Sequence, residues 1–171
     1  MEGNSPHYSP HGIMQSNYLN ARVMIWTPHV TVAAVMEQDG RFLLVRERVS
    51  GRSMLNQPAG HLEDGESLIA AVIRETLEET GWRFQPEAVI GMYRWRHPHK
   101  GITYLRVTFS GCGLSHDAGR PLDEGIEDTL WMSLAEIRRQ PEMVRSPLVL
   151  KSIEDYLAGA RYPLSVLADI D

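Results

Sequence analysis

Cysteine is almost missing: Cys112 is alone among 171 residues, which excludes an intramolecular disulfide and a multi-cysteine zinc site. Long apolar runs are missing too, since no stretch approaches the roughly 18 residues that a membrane span requires. The N-terminus has no apolar core of the secretory type, so the cytoplasm is the expected compartment. Positive charge is not in excess. A formal net charge of −5 gives no general basic footprint for duplex nucleic acid, and any nucleotide contact is expected to be local and metal-assisted. Neither a G-x-S-x-G elbow nor a G-x-x-x-x-G-K-[ST] phosphate loop occurs, which argues against a serine hydrolase and a P-loop NTPase.

What is present is ordinary for one globular domain, with 43% hydrophobic and 23% charged residues. Residues 1–27, rich in Ser, Pro, His and Asn, show no secondary-structure period and are expected to be a flexible extension, with His7 and His11 incidental. The domain is expected to span 28–171. The β-branched run Val30 to Met36, the turn Gln38-Asp39-Gly40 and the run Phe42 to Val45 predict a hairpin. Met54 to Pro58 predicts a short strand. Further strands are expected near 88–97, 102–110 and 129–132, and two closing helices near 134–139 and 146–159. Strands on both sides of a central helix, with helices at the end, predict an α/β fold with a mixed sheet covered on both faces, an α/β/α sandwich.

The central helix ends awkwardly. Glu75, Glu78 and Glu79 crowd its last turns ahead of Gly81. Residues three and four apart share a helix face, so Glu75 sits beside both others, and like charges there cost a few tenths of a kcal/mol per pair. The negative end of the helix dipole adds about 0.3–1 kcal/mol for each anion. Ile69, Val72, Ile73, Thr76 and Leu77 recur at helical spacing and are expected to face the core, leaving the glutamates free to converge elsewhere. Such a cluster of hard oxygen donors suits Mg²⁺ or Mn²⁺, and Mg²⁺ commonly shares its shell with substrate phosphates.

Gly60-His61-Leu62-Glu63-Asp64-Gly65-Glu66, seven further residues, and Arg74-Glu75-Thr76-Leu77-Glu78-Glu79-Thr80-Gly81-Trp82 resemble the Nudix box, G-x5-E-x7-R-E-U-x-E-E-x-G-U, in every fixed letter. Thr76 and Trp82 depart from the usual bulky aliphatic at the U positions, and neither removes a ligand. The resemblance implies a Nudix-like sandwich with a loop-helix-loop motif that hydrolyses phosphoanhydrides. It implies that Glu78, Glu79, the Gly60 carbonyl and Glu75 hold the divalent ion, that Glu75 is alternatively the general base, that Arg74 orients a box glutamate and that Glu66 braces the loop. Pro28 to Ala33, Asn56 to Glu63, Arg145 to Val149 and Arg161 to Leu164 further resemble a bacterial phosphatase group of that family. That similarity implies substrates such as nucleoside di- and triphosphates and thiamine-pathway pyrimidine pyrophosphates. The alternatives are a dinucleotide or nucleotide-sugar pyrophosphatase, or a ligand-binding module without catalysis.

Outside the box, Arg46 and Arg96 are candidates to clamp phosphate. Trp95 would then point to the core, its other reading being a ring contact for substrate; strand alternation sets it opposite Arg94 and Arg96. The loop before Trp131 carries Glu124 and Glu127, of which Glu127 is preferred as a further metal ligand. The expected partner is a small phosphorylated molecule, with no membrane, and a monomer or homodimer is compatible with the chain.

Overall fold

The computed structural model describes residues 26–170; the stretch containing His7 and His11 lies outside the described residues. Strand β1 (His29–Gln38) passes into β2 (Arg41–Val49) through Asp39 and Gly40, both in the left-handed backbone region that a two-residue hairpin turn requires. The chain continues through β3 (Arg52–Asn56), β4 (Ala59–His61), α1 (Leu68–Thr80), β5 (Trp82–Arg96), β6 (Thr103–His116) and β7 (Ile126–Met132). It closes with α2 (Leu134–Arg138), α3 (Pro147–Leu157) and the short β8 (Tyr162–Pro163). The sheet runs β3-β2-β1-β6-β5-β8, with β4 also on β1 and β7 also on β2. It is mixed: β1 and β6 are parallel, while the other pairings are antiparallel.

The hairpin strands pair with each other only at the turn, Glu37 with Phe42 and Gln38 with Arg41. Farther along they diverge. Thr31 to Ala33 pair with His61 to Ala59 of β4, while β2 takes β3 and β7 as partners. The sheet therefore forks, and β4 lies in the fork.

Strand periodicity sorts the core into two layers. Val32, Ala34, Met36, Leu43, Val107 and Phe109 pack with Ala71 and Val72 of α1. Val35, Phe42, Leu44 and Leu55 pack on the opposite side with Ile137 of α2 and Val149 and Ile153 of α3. This is the expected α/β/α arrangement. Strand β5 begins at Trp82 rather than near 88, because bulges at Arg83/Phe84 and Pro86/Ala88 absorb Pro86 and let pairing continue on both sides of it.

The buried side of α1 differs from the expected stripe. Ala71, Val72, Glu75, Thr76, Glu79 and Thr80 are buried, whereas Ile73 is exposed. The helix lies against β4 as well as β1, so two glutamates turn inward. Thr76 is fully buried and its hydroxyl donates to the Val72 carbonyl (2.7 Å), which satisfies a polar group on a core-facing turn. Ser67 caps the helix N-terminus by accepting from the Ala70 amide. Gly81 ends it in the left-handed region, its amide donating to the Leu77 carbonyl. A Cβ on Gly81 would lie 2.6 Å from the Asp117 carbonyl oxygen. Gly81→Ala is expected to lower the unfolding free energy by more than about 1 kcal/mol, read as a reduced urea midpoint at unchanged slope.

Candidate active site

The turn from β3 into α1 brings the box together. Gln57 is fully buried, and its side-chain amide donates to Ser152 Oγ (2.6 Å) and the Val149 carbonyl (3.3 Å), tying the turn to α3. The following segment runs over α1 at close range. A Cβ on Gly60 would sit 2.0 Å from the Glu75 carboxyl carbon, so this position admits only hydrogen while Glu75 stays in place.

Arg74 organises the carboxylates. Its guanidinium grips Glu66 through Nε (3.1 Å) and Nη2 (2.6 Å), donates from Nη1 to Glu75 (2.8 Å) and Glu78 (3.1 Å), and reaches the His61 carbonyl from Nη2 (3.1 Å). The hydrogen bonds from Arg74 hold the Glu66 carboxyl below the usual range. Glu66 also accepts from the Glu63 amide, bracing the loop as expected.

Glu79 is set apart. It is 8% exposed, and its Oε2 accepts from the Ala59 amide (2.8 Å). Burial pushes its pKa up to about 9, with Glu75, Glu47 and Asp123 adding like-charge repulsion. Burial also raises Glu75, against the opposing pull of Arg74. Among the described residues no three His, Cys, Asp or Glu side chains stand together in metal-binding geometry, because Glu75 and Glu78 are turned to Arg74 and Glu79 to Ala59. The donor chemistry nevertheless fits a hard divalent cation: only oxygens, with a buried carboxylate whose charge the surrounding acids disfavour.

A cavity of about 200 Å³ opens beside this cluster, lined by Ala59, Gly60 and His61 of β4 and by Thr31, Glu47, Asn56, Trp95, Tyr104, Arg106, Arg145, Ser146 and Leu148. Trp95 stacks on Tyr104 (centroids 5.7 Å apart, 21° between planes). It points into the cavity, not into the core beneath an arginine-bearing face. Arg94 and Arg96 alternate with it and lie exposed on the other side of β5, so Arg96 does not line the cavity. Arg46 does not line it either. Its Nε lies 3.4 Å from Asp128 Oδ1, and the β2 residue that faces the cavity is its neighbour Glu47. Glu127 is engaged away from the box, accepting from Ser53 Oγ (2.6 Å) and paired with Arg48. Ser53 and Arg48 together hold its carboxyl below the usual range. The acidic-loop residue that couples to the box is Asp123, whose amide donates to the Glu78 carbonyl (3.1 Å) and whose charge acts on Glu75 and Glu79.

Sequence reasoning missed Glu47, Arg106, Arg145 and Asp123. The usable signal was Arg106, a cation immediately before Val107-Thr108-Phe109 in an otherwise core-forming stretch of strand; local sequence could not reveal the others.

A NUDIX domain family model matches residues 27–151. The chain belongs to the Nudix hydrolase family. It is 42% identical over 147 residues to Phosphatase NudJ of Escherichia coli (strain K12), covering 86% of this chain and 95% of that protein. A solved NUDIX hydrolase from Nitrosomonas europaea is 54% identical, with a TM-score of 0.83, covering 84% of this chain and 98% of that one. A UDP-X diphosphatase structure shares the fold at 20% identity, with a TM-score of 0.67 over 85% of this chain and 70% of that one. This Nudix hydrolase acts on pyrophosphate-containing substrates, and among the described residues no helix is long and apolar enough to cross a membrane.

The raised pKa of Glu79 gives a pH dependence of stability. Between the ordinary value of 4.5 and about 9 the unfolded chain ionises this group while the folded chain resists, so its stabilising contribution is full below 4.5 and lost as pH rises toward 9. In chelator-treated protein Glu79→Gln should therefore gain thermal stability relative to wild type as pH rises, the two converging near pH 4.5. Equal melting temperatures across that range would contradict the burial of an ionisable Glu79. Gly60→Ala should displace the Glu75 carboxylate and cut activity at least as severely as Glu75→Gln in a steady-state assay.

Proposed function

We propose that this Nudix hydrolase is a Mg²⁺-dependent phosphatase of small pyrophosphates, with Mn²⁺ as a substitute ion and a single catalytic domain over residues 28–171. The observation that carries the reading is the meeting, at Gly60, of the buried Glu75 carboxylate of α1 and a cavity lined by Arg106, Arg145 and the stacked Trp95 and Tyr104. Nucleoside di- and triphosphates and pyrimidine pyrophosphates are the proposed substrates, and similarity to a phosphatase at 42% identity over most of both chains supports phosphatase activity.

Glu78, Glu79, the Gly60 carbonyl and Glu75 would hold the ion. When bound, it neutralises charge developing on phosphate oxygens and lowers the pKa of attacking water. In the alternative in which Glu75 is the base and not a ligand, it accepts the proton of that water, its burial having already raised its affinity for protons. A new bond forms from the water oxygen to phosphorus, the bridging P–O bond breaks, and the leaving phosphate departs with the bonding electrons. Arg74 fixes the directions in which Glu66, Glu75 and Glu78 present their oxygens. Trp95 offers an aromatic face to the organic part of the substrate.

A nucleotide-sugar or dinucleotide pyrophosphatase would instead yield two monophosphates. The deciding experiment is a product screen with nucleotides, pyrimidine pyrophosphates, nucleotide sugars and dinucleoside polyphosphates, with and without Mg²⁺. Mg²⁺-dependent orthophosphate from the first two groups supports the phosphatase; monophosphate pairs from the last two support the alternative, and no turnover of any supports a binding module. Glu75→Gln should lower kcat by about 10²–10⁴-fold if it is the base. Glu79→Gln should abolish Mg²⁺-dependent release in a folded protein, and wild-type turnover in that variant would remove Glu79 from the ligand set.

A further inference from the structure

Arg106 is 8% exposed, yet its Nε and Nη1 have no hydrogen-bond partner. A buried cation without a partner is strongly destabilising, and buried donors are ordinarily satisfied by protein, water or ligand. Neither carboxylate whose charge Arg106 feels is hydrogen-bonded to it: Glu79 accepts from the Ala59 amide, and Glu47 Oε1, itself without a hydrogen bond, lies 3.2 Å from Arg145 Nε as an ion pair. The free donors belong to a side chain that lines the cavity.

Register places Arg106 relative to the box. His61 pairs with Thr31, Thr31 with Arg106, and Arg106 with Tyr93, so Arg106 lies in the cross-strand row one residue beyond that of Gly60. Two residues farther along the same face, Tyr104 pairs with Trp95. The cavity thus carries, in order, the box glycine, a guanidinium with two buried, unpartnered donors, and an aromatic pair.

We infer that Arg106 binds a non-bridging oxygen of the substrate's diphosphate, holding it beside Gly60 while the organic group lies toward Trp95 and Tyr104. A guanidinium presents a planar fork of donors that matches phosphate oxygens, which a carbonyl-bearing or neutral ligand would not satisfy equally. The small cavity suits a compact anion, being below the roughly 300–1,000 Å³ of sites that enclose drug-sized ligands. Arg145, fixed by its backbone amide donating to the Leu55 carbonyl (2.9 Å) and by its ion pair with Glu47, adds positive potential at the same wall. This assignment rests on the phosphoanhydride hydrolysis proposed above and identifies the side chain that sets affinity for the reacting end.

The test compares wild type with Arg106→Gln and Arg106→Lys. In Mg²⁺, titration calorimetry with imidodiphosphate should show binding to wild type and about 10- to 100-fold weaker binding to Arg106→Gln, as expected for loss of a charge-assisted pair, with Arg106→Lys intermediate. KM for a turned-over pyrophosphate should rise in the same order, while Mn²⁺ affinity, followed by electron spin resonance without substrate, stays constant. A structural role alone would lower the melting temperature and leave KM and imidodiphosphate affinity unchanged, which would overturn the inference. If Arg106→Gln fails to fold, the lysine variant decides by the same comparison, and wild-type affinity there overturns it. Absence of turnover in wild type would defeat the phosphatase reading, whereas Arg106-dependent imidodiphosphate binding would still stand or fall by itself.

Discussion

Arg74 holds together charges that would otherwise push the site apart. One guanidinium bonds Glu66, Glu75, Glu78 and the His61 carbonyl, so the loop before α1, the middle of α1 and the edge of β4 share one cation. The planar fork makes this possible, since its donors diverge in fixed directions and a lysine would supply a point charge instead. The like-charge crowding at the C-terminal half of α1 is thereby offset for two of its three glutamates, and the third, Glu79, is left buried against a backbone amide.

That frame works only because β4 comes so close to the helix. Gly60 admits the Glu75 carboxylate where a Cβ would stand, and the forking of β1 from β2 makes room for β4 between them. The same fork creates the cavity. Its walls come from both branches of the sheet and from the start of α3, which Gln57 and the Arg145 amide secure to the turn between β3 and β4 and to β3 itself. Fold and chemistry are coupled at this seam: the carboxylates face it from α1, and the cavity's cations and aromatics face it across the sheet.

The box was legible in the chain because its parts are local. Helical spacing links Arg74 to Glu78 directly, and the loop residue Glu66 directly precedes the helix cap Ser67, so a fixed sequence interval translates into contact. The hairpin, the mixed sheet and both closing helices were legible for the same reason, from period and turn residues. The inward turn of Glu75 and Glu79 was not, because apolar spacing placed Val72 and Thr76 correctly in the buried stripe but also included Ile73, which is exposed, and gave no sign that a backbone strand would cover the acidic side.

The sequence by itself determined which box residues meet, namely the carboxylates, the arginine and the glycine, since those relations span at most a few helical turns. Only the tertiary structure decided what surrounds it. Arg46 and Arg96 fell outside the cavity, Glu127 was taken by Ser53 and Arg48, and Trp95, Glu47, Arg106 and Arg145 came to line the walls. These residues lie on five separate stretches of chain, and which face each presents depends on strand register, bulges and the fork in the sheet. Shifting a strand by one residue reverses every side chain on it, a choice that long-range pairing makes and local sequence does not.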